Sequence, residues 1–113
     1  MIDYKIIAVD FDGTLCENKW PEIGEPNTEL IDYLIKEQKM GSKIILWTCR
    51  AGFELEEAVL MCAEHGLIFD AVNKNLPDAI DMFNGKDTRK IFAHEYIDDR
   101  MCGAFKLPFK KGE

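Results

Sequence analysis

The chain has 113 residues, of which 47% are hydrophobic and 31% are charged, and its formal net charge is −7. This length and apolar content predict one globular domain over residues 1–113, with a core that needs neither a metal nor disulfides to fold. The negative charge argues against bulk binding to nucleic acid, because a phosphate backbone attracts basic surfaces.

Cysteine usage and hydropathy argue against further classes of protein. The four cysteines, Cys16, Cys49, Cys62 and Cys102, have no CxxC spacing, so we expect neither a zinc site nor a secreted disulfide framework. The first residues, MIDYKIIAVDF, lack the pattern of a signal peptide, and no apolar run approaches the roughly 18 residues of a membrane span. We therefore expect a cytoplasmic protein with no membrane partner.

Hydrophobic periodicity predicts strands that alternate with helices along the chain. A short β-branched run predicts the first strand, and the first helix has Asn27 or Thr28 as its cap and Gly41 after its end. In chain order, the predicted elements are a strand over 6–10, a helix over 25–41, a strand over 43–48, a helix over 54–66, a strand over 67–73, a helix over 76–83 and a strand over 91–98.

This alternation is typical of βαβ units and predicts an α/β fold. We expect a three-layer, doubly wound, Rossmann-like sheet of mostly parallel strands with helices on both faces. Residues 16–26 form the longest stretch without a predicted element, and loops of this length in small domains are often functional.

Every predicted strand is followed by polar or charged side chains. Because ligands bind at the carboxyl ends of parallel strands, we expect these side chains to meet at one edge of the sheet. In chain order, the four strands deliver Asp10, Asp12, Gly13 and Thr14; Thr48, Cys49 and Arg50; Asn73 and Lys74; and Asp98, Asp99 and Arg100.

Converging carboxylates repel one another unless a cation lies among them, and Mg²⁺ is the hard ion that prefers oxygen ligands. The Thr48 hydroxyl, Lys74 and backbone N–H groups near Gly13 would then bind an anion beside the metal. Carboxylates, a divalent ion, a hydroxyl and a lysine together indicate phosphoryl chemistry. Each piece also has a plainer interpretation, since Asp-x-Asp-Gly is common in turns and single lysines are usually solvated.

Four short motifs resemble those of the haloacid dehalogenase-like (HAD) hydrolases, in the family's order. DFDGTL (10–15) resembles the first motif, Thr48 after IILW the second, Lys74 in NKNLPD the third, and YIDD (96–99) the fourth. An aspartate two residues after the first is typical of phosphatases in this family, whereas dehalogenases lack it. The resemblance therefore implies phosphoryl transfer to water.

The resemblance also implies a role for each matching residue. Asp10 would be the nucleophile that forms an aspartyl-phosphate, and Asp12 the general acid and base. Asp10, the backbone carbonyl of Asp12, and Asp98 would hold Mg²⁺, while Asp99 would ligate the metal or orient its waters.

Thr48 and Lys74 would bind the transferring phosphoryl group. Arg50 and Arg100 flank this predicted site and are candidates to contact substrate anions, with ion pairing as the structural alternative for Arg100. Lys90 is the other candidate for the third motif. If residues 90–98 formed one continuous strand, Lys90 would lie roughly 26 Å from the site, so we prefer Lys74.

Neither interval that holds a cap domain in larger family members is long enough for one here, so the chain resembles the capless group. The segment 16–26, a second subunit in a homo-oligomer, or a macromolecular substrate would then have to close the site.

The main hypothesis is a Mg²⁺-dependent phosphatase acting on a phosphomonoester, either a small molecule or the end of a macromolecule. The alternatives are a phosphotransferase or processing phosphatase acting on a sugar, a nucleotide or a nucleic-acid end, and a receiver-like phospho-accepting module. The order of the acids along the chain disfavours the receiver, whose acid pair ends its first strand.

Overall fold

The computed structural model describes residues 2–101, which form an α/β fold of six strands and three helices. The tail after residue 101, including Cys102, lies outside the described residues. In chain order, the elements are β1 (Ile6–Val9), β2 (Cys16–Lys19), β3 (Glu22–Pro26), α1 (Thr28–Lys39), β4 (Lys43–Leu46), α2 (Gly52–Glu64), β5 (Ala71–Val72), α3 (Pro77–Met82) and β6 (Glu95–Ile97).

Four parallel strands make the central sheet, in the order β5-β4-β1-β6. Val9 at the end of β1 pairs with Leu46 on one side and with Ile97 on the other, so three strands end at the same level. The chain leaves β1 toward β4 and returns on the opposite side as β6. This reversal of strand order is where α/β sheets place ligands.

The predicted parallel sheet with buried central strands is confirmed. All four residues of β1 are buried, as are the last three of β4. One face of the sheet packs on α1 and α2 through Ile7, Val9, Ile44, Leu46, Leu30, Ile31, Leu34, Ala58 and Cys62. The other face carries Ile6, Ala8, Ile45 and Ala71, which cluster with Leu76 and Ile91.

The first helix has the predicted cap residue and the predicted glycine after its end, but it spans Thr28–Lys39 and is shorter than the predicted 25–41. The Asn27 side chain accepts a hydrogen bond from the Leu30 N–H at 3.2 Å, which satisfies one of the unpaired donors of the first turn. Gly41 follows the helix with φ of +105°, a backbone conformation that glycine adopts without strain.

The predicted strand over 91–98 is wrong in its extent, because β6 spans only Glu95–Ile97. The residues before it make one main-chain bond to β1, from the His94 N–H to the Ile6 carbonyl at 2.8 Å, and side chains supply two further bonds. The Phe92 N–H donates to the Asn75 side chain at 2.7 Å, and the His94 ring nitrogen Nδ1 accepts from the Ile6 N–H at 2.9 Å. We preferred Lys74 to Lys90 on the assumption of one continuous strand over residues 90–98. The described chain has no such strand, so that argument against Lys90 does not hold.

Residues 16–26, where no element was predicted, form an antiparallel hairpin of β2 and β3. Its strands are mostly exposed and charged, so they lack the apolar alternation that identifies a strand in sequence. Gly24 permits the pairing. A Cβ at this position would lie 2.3 Å from the Glu17 carbonyl oxygen, closer than any real contact.

Candidate active site

The chain turns sharply after β1, and this turn places Asp10 at the end of the sheet. The N–H groups of Thr14 and Leu15 both donate to the Phe11 carbonyl, at 3.1 and 2.9 Å. The Gly13 N–H, which we predicted to bind an anion, donates instead to the Cys16 carbonyl at 2.9 Å. The turn is thus closed by its own backbone.

Gly13 is required at this turn for two reasons. Its φ is +84°, a left-handed conformation that other residues rarely adopt. A Cβ on Gly13 would also lie 2.3 Å from Oδ2 of Asp99, so the missing side chain makes room for that carboxylate.

Two hydrogen bonds join the turn after β1 to the end of β6. The Asp10 N–H donates to the Ile97 carbonyl at 2.9 Å. The buried hydroxyl of Thr14 accepts from the Asp99 N–H at 3.1 Å. These bonds hold the two aspartates that follow β6 beside Asp10.

The carboxylates of Asp10, Asp98 and Asp99 form one cluster, in which one oxygen from each lies within 4.8 Å of the others. Burial, followed by the charges of Asp98 and Asp99, raises the pKa of Asp10 to about 7, against a bond from the Phe11 N–H that lowers it. Within residues 2–101 this is the one group of three or more such side chains at metal-binding spacing. Three hard oxygen donors fit Mg²⁺.

Asp12 lies in a different environment, although it is only two residues from Asp10. Its carboxylate forms a two-pronged ion pair with the Arg50 guanidinium, with Nε to Oδ2 and Nη2 to Oδ1 both at 2.8 Å. Arg50 is 2% exposed, and its pairing with Asp12 raises its pKa above the ordinary value. Such bidentate pairs fix the orientation of the carboxylate.

Arg50 also fastens the hairpin to the rest of the protein. Its Nη1 donates to the carbonyls of Pro21 and Glu54, and its Nη2 donates to the carbonyl of Glu22. The guanidinium lies 5.0 Å from the ring centroid of Trp20 at the hairpin turn. With the two bonds to Asp12, these use all five N–H donors of the group. No donor remains for the substrate anion that we predicted Arg50 to contact.

Thr48 reaches the same edge of the sheet from β4. Its hydroxyl oxygen accepts from the Arg50 N–H at 3.1 Å, which leaves the hydroxyl proton available to a ligand. Its own N–H donates to the Asn73 side chain at 2.8 Å. Asn73 has a φ of +55° directly after β5, so the turn there holds Thr48 from the side.

A cavity of about 530 Å³ lies at this edge of the sheet, within the usual range for small-ligand sites, and Asp99, Arg50 and Asn73 are not part of its lining. The cavity brings together Asp10, Asp12, Asn18, Trp47, Thr48, Cys49, Asp98 and Arg100. Asn18 and Trp47 were not predicted as site residues. Asn18 is supplied by the hairpin, and the sequence signal for Trp47 was its position between a buried strand and Thr48.

The two candidate lysines lie outside that lining. Lys74 is exposed and directly follows Asn73, whose side chain binds the Thr48 backbone. The Lys90 ammonium lies 5.6 Å from the ring centroid of Tyr96, whose ring packs against Trp47. Lys90 therefore contacts Tyr96, a residue that packs against the cavity lining. The assignment of Lys74 as the phosphate-binding lysine stays a prediction.

A solved structure is similar to this chain over most of its length. The structure of a conserved protein from Bacteroides thetaiotaomicron is 40% identical in sequence, with a TM-score of 0.78, over 89% of this chain and 80% of that one. This chain belongs to the same family as that protein. No protein-family model matches the chain, and no curated protein matches it. Family membership supports the α/β fold.

Two further findings concern residues 2–101. No helix within residues 2–101 is long and apolar enough to cross a membrane. Cys16, Cys49 and Cys62 are free thiols, and Cys49 is exposed in the cavity.

The metal-free protein should become less stable as the pH rises, because Asp10 must ionise in a largely buried position and beside two other carboxylates. Its pKa is about 7 in the fold against 3.8 ordinarily, so the folded protein holds this proton more tightly than the unfolded chain. That stabilisation is complete below about pH 4 and is lost as the pH rises through about 7. Asp10→Asn, which cannot ionise, should raise the melting temperature in EDTA at about pH 8, and the gain should shrink toward about pH 5.

Asp81→Asn, on the exposed side of α3, is the matched control, and its effect should not follow this pH dependence. An equal effect of Asp10→Asn at all pH values would contradict the crowded cluster.

Arg50→Lys should loosen the hairpin, because an ammonium keeps the charge but cannot span Asp12, the hairpin carbonyls and α2 together. We expect the free energy of unfolding to fall by about 1–3 kcal/mol, as buried acceptors lose their donors. Trypsin should cleave after the exposed Lys19 in β2 faster than in the wild type. Arg89→Lys, an exposed conservative change, is the control for both measurements. Equal cleavage rates in the two variants would show that Arg50 does not hold the hairpin.

Proposed function

We propose that this protein is a Mg²⁺-dependent phosphatase of the HAD-like type, with a doubly wound, capless fold. It would hydrolyse a phosphomonoester through an aspartyl-phosphate on Asp10. The observation that carries the proposal is the carboxylate cluster at the switch point of the sheet, where Asp10 lies within 4.8 Å of Asp98 and Asp99. Asp12 and Thr48 line the same cavity.

In the first step, a carboxylate oxygen of Asp10 attacks phosphorus, and the bond from phosphorus to the substrate oxygen breaks. The departing oxygen takes a proton from Asp12 and leaves as an alcohol. Arg50 orients the Asp12 carboxylate by holding both of its oxygens. Each oxygen keeps a second lone pair, so Asp12 can carry or accept a proton while it stays in place.

In the second step, Asp12 takes a proton from water, and the resulting hydroxide attacks phosphorus. The bond between phosphorus and Asp10 breaks, which releases inorganic phosphate and restores the Asp10 carboxylate. The Asp12 side chain is 19% exposed and faces the cavity, so a water molecule can reach it.

Mg²⁺, when bound, would offset the negative charge of the phosphoryl group and of the acids around it. Asp10, Asp98 and Asp99 would hold it, together with the backbone carbonyl of Asp12 that the resemblance implies. The elevated pKa of Asp10 supports this assignment, because a bound cation would favour the ionised form of a carboxylate that is buried and lies beside two other acids.

The phosphoryl oxygens would be bound by the Thr48 hydroxyl and by Lys74. Arg100 is the cation among the residues that line the cavity and the guanidinium best placed for a substrate anion. Its backbone N–H donates to Asp98 at 2.9 Å, so the turn after β6 carries a metal ligand and this side chain together.

The function is tested by measuring phosphate release from a panel of phosphomonoesters, including nucleotides, sugar phosphates and phosphorylated nucleic-acid ends. We expect hydrolysis that requires Mg²⁺ and stops with EDTA. Asp10→Asn should lower kcat by at least about a thousandfold, because it removes the nucleophile without changing side-chain size.

Asp81→Asn is again the control, and thermal melts verify that both variants are folded. Turnover that survives in folded Asp10→Asn would exclude Asp10 as nucleophile. Failure of the wild type to release phosphate from every ester would overturn the proposed function.

A further inference from the structure

Trp47 occupies an unusual place for a large aromatic side chain, directly beside the proposed nucleophile. Its N–H donates to the Val9 carbonyl at 2.9 Å, so its backbone continues beside β1 at the level of Asp10. Neighbouring strands lie about 4.8 Å apart. Trp47 is 36% exposed and lines the same cavity as Asp10, Thr48 and Asp98.

The indole packs against Tyr96, and Trp47 also lines the cavity. Its ring centroid lies 5.6 Å from that of Tyr96, at an interplanar angle of 51°. The Tyr96 hydroxyl donates to the Ile91 carbonyl at 2.5 Å, which fixes that ring. Ala8 pairs with Tyr96 on β6 and with Ile45 on β4, and its small side chain leaves space for the two rings to meet. Trp47 is thus held in position before a ligand arrives, which reduces the entropy cost of binding.

The residues that line the cavity indicate what the exposed face of Trp47 could bind. Among its lining residues, Trp47 is the only aromatic one, and the others are polar, charged or a cysteine. A phosphoryl group at Asp10 would direct its ester substituent along the cavity, within reach of the indole. Planar rings stack on exposed tryptophan, whereas a ring-free polyol gains little from it.

We propose that Trp47 is a specificity-determining residue that stacks on a planar ring of the substrate, which makes the preferred substrates nucleoside or aryl phosphomonoesters. This inference rests on the proposed phosphatase function for the position of the phosphoryl group. The alternative is that Trp47 only packs against Tyr96. Packing by itself predicts a loss of stability in Trp47→Leu with no change in substrate preference.

The first test compares kcat/KM for adenosine 5′-monophosphate, phenyl phosphate and ribose 5-phosphate in the wild type and in Trp47→Leu. The ratio of kcat/KM for a ring-bearing ester to that for ribose 5-phosphate should fall by about 5- to 150-fold in the variant, the range expected for one stacked base. Phe53→Leu, an exposed aromatic change in α2 outside the cavity lining, should leave the ratio at its wild-type value.

The two ring-bearing esters distinguish a site for nucleobases from a site for any aromatic ring. A fall confined to the adenosine ester assigns the site to nucleobases, and a fall for both esters assigns it to any flat arene. An unchanged ratio in folded Trp47→Leu overturns the proposal.

The second test measures binding without turnover, so it remains informative if no ester is hydrolysed. The chain has two tryptophans, and Trp20→Phe leaves Trp47 as the sole indole. In a protein that combines Trp20→Phe with Asp10→Asn, adenosine 5′-monophosphate should quench Trp47 fluorescence with saturation, and ribose 5-phosphate should bind at least about 5-fold more weakly. Equal affinity for both, with no change in emission, would contradict stacking even if phosphatase activity is present.

Discussion

The arrangement at the end of the sheet depends on one constraint, the crowding of three carboxylates into a space 4.8 Å across. Asp10 is largely removed from water and lies beside two other negative charges, and its pKa is raised first by the burial and then by the repulsion. The turns after β1 and β6 hold the carboxylates together in spite of this repulsion. Gly13 leaves room for Asp99, and the Thr14 hydroxyl holds the turn after β6 in place. A site built this way is suited to a cation.

Asp12 is not part of the carboxylate cluster, and its side chain forms an ion pair with Arg50 instead. The same guanidinium binds the hairpin carbonyls and α2, so the orientation of Asp12 and the position of the hairpin depend on one buried side chain. Asp10 and Asp12, in one short turn, therefore lie in opposite environments. Asp10 lies beside two negative charges, whereas Asp12 is paired with a positive one. Environments that differ in this way assign different chemical roles to identical residues.

Much of this arrangement could be predicted from the sequence, because it follows from where buried strands end. The β-branched runs identified β1 and β4, and the acids after β1 and β6 converge as parallel topology requires. The hairpin could not be predicted, since its exposed charged strands carry no apolar period. The role of Arg50 was hidden for a similar reason. Its partners include backbone carbonyls in a hairpin some 28 residues away, which no local pattern encodes. The short β6 was missed because side chains of Asn75 and His94 take bonds that a strand ladder would otherwise supply.

The most direct measurement is to find the phosphoryl group on the protein. Folded wild-type protein would be mixed with Mg²⁺ and a ³²P-labelled ester that it hydrolyses, quenched in acid within one turnover, and digested for mass spectrometry. Asp10 as nucleophile predicts label on the peptide that contains Asp10, released by hydroxylamine as expected for an acyl phosphate and absent in Asp10→Asn. Turnover without labelled protein, or label on another side chain, would contradict the covalent role of Asp10.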